Sequence, residues 1–177
     1  NSPHTLILSN ELKKIGTIED KIFNEFGWVD GSTYNLEFDG VDFAGNIADK
    51  VVIKNITFDI TNPIISIDNL FKSIYINNNT LSYTLSEPLA TSTLTITRTA
   101  GADDNNSPQN ISLTASELAK GSYKDVILTN NPILNNGTIY SFELSGQDYA
   151  TNDAKSIIVE NVSFDNQPPE LSISRPI

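Results

Sequence analysis

The side chains with the clearest chemical potential in this sequence are carboxylates in Asp- and Asn-rich turns. Asp148, Asn152 and Asp153 share one turn, Glu87 follows a run of alternating apolar residues, and Asp59 ends another such run. Carboxylate and amide oxygens are the ligands that Ca²⁺ prefers, about six to eight at a time. Ca²⁺ is therefore the one cofactor that the sequence suggests.

The same turn chemistry occurs elsewhere in the chain. Three residues occupy positions equivalent to those of Asp148, Asn152 and Asp59, namely Asp42, Asn46 and Asp165. A structural interpretation competes with metal binding, because an Asp in such a turn often accepts hydrogen bonds from local backbone N–H groups. The sequence leaves both interpretations open.

The groups that catalysis needs are missing from the sequence. The chain has one histidine, His4, and no cysteine, and it contains no glycine-rich phosphate loop or zinc motif. The carboxylates of Asp103 and Asp104 lie in an Asn-rich turn and are expected to be solvated. We therefore do not expect this chain to be an enzyme.

Composition excludes two further classes of protein. The chain has 22 acidic and 11 basic residues, which gives a net charge of −11. Binding of nucleic acid requires clustered Lys and Arg, so nucleic acid is not an expected partner. A membrane-spanning helix needs a run of about 18 or more apolar residues. The sequence has no such run, and membrane insertion is not expected of it.

The sequence repeats itself with a spacing of 106 residues, since residues 34–63 recur as residues 140–169. His4 aligns with Gln109 and Trp28 with Leu134. A catalytic His shared by the two copies is therefore excluded, and Trp28 is expected to be a packing residue.

The repeat divides the chain into three segments. These are a partial unit at 1–62, a complete unit at 63–168 and the start of a third at 169–177. The first segment lacks a counterpart of residues 64–105. Either the sequence covers only part of the first unit, or a neighbouring chain completes it by donating strands.

Apolar residues alternate with polar ones throughout the complete unit, which is typical of half-buried antiparallel strands. Seven strands are predicted, near residues 64–67, 80–86, 92–99, 109–114, 123–129, 138–147 and 155–164. A short helical turn is expected within residues 115–120. Seven such strands in roughly 105 residues predict a β-sandwich of immunoglobulin type. The fold class is therefore all-β, with tandem immunoglobulin-like sandwiches of about seven antiparallel strands.

Strand parity makes the calcium hypothesis specific. Antiparallel strands alternate in direction, so the loops after the second, fourth and sixth strands lie at the N-terminal end of the unit. The loop after the second strand carries Glu87, the loop after the sixth carries Asp148, and the linker that enters this end carries Asp59. The sequence therefore predicts an interdomain calcium site at this end.

Six short motifs lie, in order, at residues 82–88, 106–108, 117–118, 137–140, 148–152 and 164–165. Their order and spacing resemble those of a bacterial immunoglobulin-like repeat that occurs in tandem in very large surface and secreted proteins. The fourth and fifth motifs recur at residues 31–34 and 42–46, where Asp-Phe-Ala-Gly-Asn keeps the Asp-x-Ala-Gly-Asn turn of that family. The resemblance implies an extracellular or cell-surface protein of adhesin or fibril type.

The leading functional hypothesis is a structural repeat that serves as a spacer, a stalk or the subunit of a filament. Its partners would be neighbouring copies of the repeat, in the same chain or another. Two alternatives remain open. One is an adhesin-type module that binds glycan or protein through loops such as residues 101–108, and the other is an accessory domain of a secreted enzyme.

Overall fold

The computed structural model describes residues 3–10, 13, 17 and 27–173. Within these residues, regular structure consists of β-strands and one turn of 3₁₀ helix, Ala115–Glu117. The prediction of an all-β fold is confirmed, and the 3₁₀ turn lies where the sequence predicts a short helical turn.

The chain divides into two compact units, Asn1–Ile60 and Thr61–Ile177. The sequence predicts the first boundary after residue 62. The last part of the predicted third segment, residues 174–177, lies outside the described residues, as does much of 11–26 in the first unit.

The described part of the first unit is an antiparallel hairpin of β1 (Ser32–Phe38) and β2 (Val51–Phe58). Trp28 packs on it, with its ring centroid 4.8 Å from that of Tyr34 and 5.8 Å from that of Phe58. These ring contacts fit the packing role expected of Trp28.

The described part of the second unit contains eight strands. They are β3 (Ile65–Ile67), β4 (Tyr75–Ile76), β5 (Leu81–Leu85), β6 (Leu89–Gly101), β7 (Gln109–Ser112), β8 (Gly121–Val126), β9 (Thr138–Asp148) and β10 (Ile157–Phe164). One sheet has the order β4-β10-β9-β6-β7 and the other the order β3-β5-β8. Buried apolar residues of both sheets form one cluster, which is the arrangement of a β-sandwich.

Period-two alternation explains why these segments are strands with one buried face. In β9, Tyr140, Phe142 and Leu144 are buried, and the residues between them are partly exposed. In β6, Leu94 and Ile96 are buried between threonines. Burial of each such large side chain contributes roughly 1.5–3 kcal/mol, and the β-branched threonines suit the outer face.

All seven predicted strand regions contain a strand, whereas β4 was not predicted. It has only two residues, Tyr75 and Ile76, which pair in parallel with Ser163 and Phe164 of β10. Two residues cannot display a period, so no sequence pattern marks this strand. The register of β10 against β9 shifts between Val159 and Val162.

The hairpin of the first unit and the β9–β10 pair of the second have the same register. Ser32 pairs with Phe58 as Thr138 pairs with Phe164, and the other pairs of the first hairpin correspond in the same way. Asn55 and Asn161 occupy the same bulge position with φ of 62° and 59°. The left-handed conformation suits Asn better than β-branched residues.

Buried polar groups in the second unit are hydrogen-bonded to one another and to the backbone. The hydroxyl of Tyr140 donates to Oδ2 of Asp104 and accepts from the N–H of Asn135, each at 2.9 Å. The expectation that Asp104 is solvated is therefore wrong, because this bond holds its carboxylate inside the fold, whereas Asp103 is exposed. The carboxylate of Glu117 accepts the N–H groups of Thr114 and Thr129, both at 2.6 Å. Every buried side-chain nitrogen or oxygen among the described residues has a hydrogen-bond partner. In the described part of the chain, no helix is long and apolar enough to cross a membrane.

Truncation of a core residue in β9 is expected to be costly. Leu144→Ala removes a fully buried side chain and should lower the free energy of unfolding of the second unit by about 2–5 kcal/mol. The control Ile158→Ala changes a side chain that is 58% exposed in β10, and should change that free energy by less than about 1 kcal/mol. Urea unfolding followed by the NMR signals of β9 measures both, and equal losses would contradict the assigned core.

Candidate cation site beside the Asp148 turn

The carboxylate of Asp148, the last residue of β9, organises the turn that follows. Its Oδ1 accepts the N–H groups of Ala150 at 2.8 Å and of Asn152 at 2.9 Å. Its Oδ2 accepts the side-chain amide of Asn152 at 2.9 Å. Thr151 has a φ of 71° and donates its N–H to the carbonyl of Asp148. These are the local hydrogen bonds of the structural interpretation of this turn.

The Asp42 turn of the first unit makes the same bonds. Oδ1 of Asp42 accepts the N–H groups of Ala44 and Asn46, both at 2.8 Å, and Oδ2 accepts the amide of Asn46 at 2.8 Å. Gly45 occupies the left-handed position with a φ of 91°. The first unit thus has Gly where the second has Thr151, and the turn is the same with either residue.

Local hydrogen bonds lower the pKa of both aspartates. For Asp148, desolvation by burial raises the pKa, but the bonds from the side chain of Asn152 and from nearby N–H groups together outweigh it, and the pKa lies below its usual value. For Asp42, which is exposed, the bond from the side chain of Asn46 is the main cause of a lowered pKa. Both side chains are therefore carboxylates at neutral pH.

Glu87 lies next to Asp148 because of strand pairing within the second unit. Glu87 is in the connection between β5 and β6, two residues before Leu89, and Leu89 pairs with Asp148 across the β6–β9 ladder. Carboxylate oxygens of Glu87 and Asp148 lie within 4.8 Å of each other. Ca²⁺–oxygen bonds of about 2.3–2.6 Å allow two oxygens on one ion to be up to roughly 5 Å apart. The predicted approach of these two residues is therefore present, at a spacing that one Ca²⁺ can bridge.

The other predicted residues of the second unit have different surroundings. The side-chain amide nitrogen of Asn152 donates to Oδ2 of Asp148. Asp153 is exposed, and its Oδ1 accepts from the side chain of Gln147 at 3.1 Å. Asp165 accepts the N–H of Gln167 at 3.0 Å, which is a local turn bond. Asp59 is half-buried in the first unit, near its end.

The sequence analysis did not assign a role to Glu117, the other buried carboxylate of this sheet end. Desolvation raises its pKa, but hydrogen bonds from the backbone and hydroxyl groups of Thr114 and Thr129 outweigh it, and the pKa is lowered. The spacing of Thr114 and Glu117 is that of a capping box, which is the signal that could have identified this role. Its oxygens are used by the fold, so Glu117 is not a ligand candidate.

No protein-family model matches the chain, and no curated protein matches it. Two adjacent carboxylates repel each other unless a cation neutralises them, and the position next to Glu87 and Asp148 is chemically suited to a hard cation such as Ca²⁺.

The turn bonds of Asp148 are expected to make the stability of the second unit depend on pH. At pH 7, Asp148→Asn should lower the free energy of unfolding by about 1–3 kcal/mol, because the amide cannot accept all the bonds of the carboxylate. A lowered native pKa stabilises the fold above the unfolded pKa of about 3.9, and this contribution is lost as pH falls through the native pKa.

The wild type should therefore exceed Asp148→Asn in free energy of unfolding by the whole of this amount above about pH 5. The excess should shrink below about pH 4. Asp153→Asn is the matched control, since Asp153 is exposed in the same turn, and it should have little effect at either pH. Urea unfolding above about pH 5 and below about pH 4 measures these free energies. If the gap between wild type and Asp148→Asn grew on acidification, the assignment of the turn bonds to an ionised Asp148 would be contradicted.

Proposed function

We propose that this chain is a structural module from a tandem array of immunoglobulin-like β-sandwiches with a 106-residue period. It would belong to an extracellular or cell-surface protein and act as a spacer, a stalk or the subunit of a filament. The observation that carries the proposal is the recurrence, 106 positions apart, of one hairpin register and one Asp turn with the same hydrogen bonds.

Two features support the immunoglobulin-like type of sandwich. A five-stranded sheet faces a three-stranded sheet, and consecutive strands β5 and β6 lie in different sheets. The hydroxyl of Tyr140 accepts a backbone N–H five residues upstream, and Tyr34 does the same with Val29. This resembles the tyrosine corner that characterises such sandwiches near the start of the corresponding strand.

The alternatives are an adhesin-type binding module and an accessory domain of a secreted enzyme. An open groove over β6 and β9 is lined by hydroxyl, amide and carboxylate side chains, and no aromatic ring lines it. Sugar-binding surfaces commonly use aromatic platforms, so this groove does not favour a glycan. The spacer proposal needs no ligand and agrees with a net charge of −11, which keeps extended arrays soluble.

We further propose that Ca²⁺ stiffens the joint between successive units, bound by Glu87 and Asp148 with Asp59 from the linker. Ile64 anchors the linker beside the site, because it donates its N–H to Oγ of Ser86 at 2.8 Å and accepts the N–H of Ser86 at 3.0 Å. Asp59 precedes Ile64 by five residues, which span at most about 18 Å. Asp59 is therefore within chain reach of Glu87, the residue after Ser86.

Calcium is expected to bind the full chain and to stabilise it. A ligand stabilises the fold by RT ln(1 + [L]/Kd), and extracellular sites of this kind have dissociation constants of about 10⁻⁴–10⁻³ M, so 1 mM Ca²⁺ should add about 0.4–1.4 kcal/mol. Calcium at 1 mM should therefore raise the melting temperature by a few degrees. Calorimetric titration and thermal melts measure the effect.

Glu87→Gln and Asp59→Asn should abolish most of the calcium effect, because each removes a proposed ligand oxygen with its charge. The control Asp49→Asn removes an exposed carboxylate of the first unit and should leave the effect intact. No heat and no thermal shift on adding Ca²⁺ would refute the calcium proposal and leave the spacer proposal standing.

The spacer proposal predicts that added repeats lengthen the molecule. Extra copies of residues 63–168, inserted after Pro168 of the full chain, should increase the maximum dimension by a constant step. The step should be about 35–45 Å, because the 11 residues of β9 extend roughly 37 Å at about 3.4 Å each. Small-angle X-ray scattering with one, two and three inserted copies measures it. A dimension that stops growing, or specific binding on a glycan array, would favour the alternatives.

A further inference from the structure

The apolar face of the first hairpin is exposed where its counterpart in the second unit is buried. Phe38 is 40% exposed and Ile53 is 48% exposed. Their counterparts Leu144 and Val159 belong to the buried core, with Leu144 fully buried. Because the two hairpins have the same register, the difference is in what covers this face and not in the hairpin itself.

In the second unit, strand β6 covers the corresponding edge, and the sheet that contains β3 and β5 covers the corresponding face. Strand β6 forms an antiparallel ladder with β9 along its length, in which Leu94 is opposite Leu144 and Ile96 is opposite Phe142. Among the described residues, β1 pairs with β2 alone, so its other edge has no such strand. An exposed strand edge with an apolar face is a template for pairing with a further strand.

A glycine supplies a second, independent observation. A Cβ added to Gly146 would lie 2.8 Å from Cδ1 of Leu89 and 3.0 Å from the carbonyl oxygen of Thr91, both in β6. Gly146 is thus needed where β6 approaches β9 closely. Its counterpart Gly40 has nothing within 4 Å of such a Cβ, and its φ is not in the left-handed region. Neither crowding nor backbone conformation in the first unit accounts for Gly40, whereas a neighbouring strand like β6 does.

We propose that the open face of the first hairpin, formed by β1 and β2, binds a segment equivalent to residues 64–105, with its β6-type strand paired to β1. The segment would be supplied in cis, in the order of the repeat, directly before the counterpart of Asn106. This inference rests on the proposed repeat architecture and adds to it a specific intramolecular partner for this hairpin.

A fusion of the chain with itself tests the proposal. A second copy of residues 64–105 is placed directly before Asn1, which reproduces the order of the complete unit. Hydrogen exchange of the β1 amides should slow at least about tenfold relative to the unfused chain. The β9 amides, which already lie between two strands, are the internal reference and should not change. Exchange is measured with a calcium chelator, so that the result does not depend on the calcium site.

Two variants make the test specific. In the unfused chain, Gly40→Val should leave hydrogen exchange of the β1 amides within about threefold of wild type. In the fusion it should cancel most of the protection, because the Val side chain would meet the β6-type strand of the added copy. Replacement of Leu94 and Ile96 by Ser, in the added copy only, should also cancel the protection. Equal effects of Gly40→Val on β1 exchange in the fused and unfused chains would overturn the pairing of a β6-type strand with β1.

Two other outcomes would overturn the proposal. In the first, the fusion leaves β1 exchange unchanged while β9 remains protected. In the second, the unfused chain self-associates in sedimentation equilibrium and Leu171→Asp abolishes the association. Leu171 is 93% exposed and is the counterpart of Ile65, so that result would assign the face to a second copy of the chain. Neither outcome bears on whether inserted repeats lengthen the molecule, so this test is separate from that of the spacer.

Discussion

The antiparallel ladder between β6 and β9 is the interaction on which the rest of the second unit depends. It places Leu94 and Ile96 against the apolar side chains of β9, and it sets Leu89 opposite Asp148. The second of these pairings brings Glu87 to Asp148. The candidate cation site is therefore a consequence of the register of one ladder, and a slip by one residue would move every side chain of β6 to the other face.

The buried carboxylates of the second unit serve as acceptors for the backbone. The ion pairs described in the structure have exposed or half-exposed partners, such as Lys50 with Glu37 and Lys72 with Glu160, and pairs of this kind contribute little. The buried carboxylates Glu117 and Asp148 accept N–H groups of loops instead. The negative charge of these buried carboxylates is therefore compensated by local N–H dipoles.

The sequence was sufficient to predict the strands because period-two alternation is a local signal, and it was insufficient for β4, which is too short to have a period. The approach of Glu87 to Asp148 was predictable from strand parity alone. The partner of Asp153 was not, because its side-chain bond to Gln147 depends on a bridge between those two residues across the turn. The number of a strand in the antiparallel order determines the end of the sandwich at which the next loop lies, but not the direction of each side chain in that loop.

The two copies of the Asp turn show which features the turn residues specify by themselves and which features depend on distant strands. The turn has the same hydrogen bonds whether its Asp is exposed, as Asp42 is, or buried, as Asp148 is, so the residues of the turn are enough to specify it. The position of Glu87 beside Asp148 requires β6 and cannot be specified locally.

The structural and metal interpretations of Asp148 are therefore not exclusive. The turn bonds hold the carboxylate in a fixed orientation, and a carboxylate with about four lone-pair sites can accept a cation in addition. A carboxylate that is already held in place loses less conformational freedom on binding, which favours an ion at this position over one at a solvated side chain.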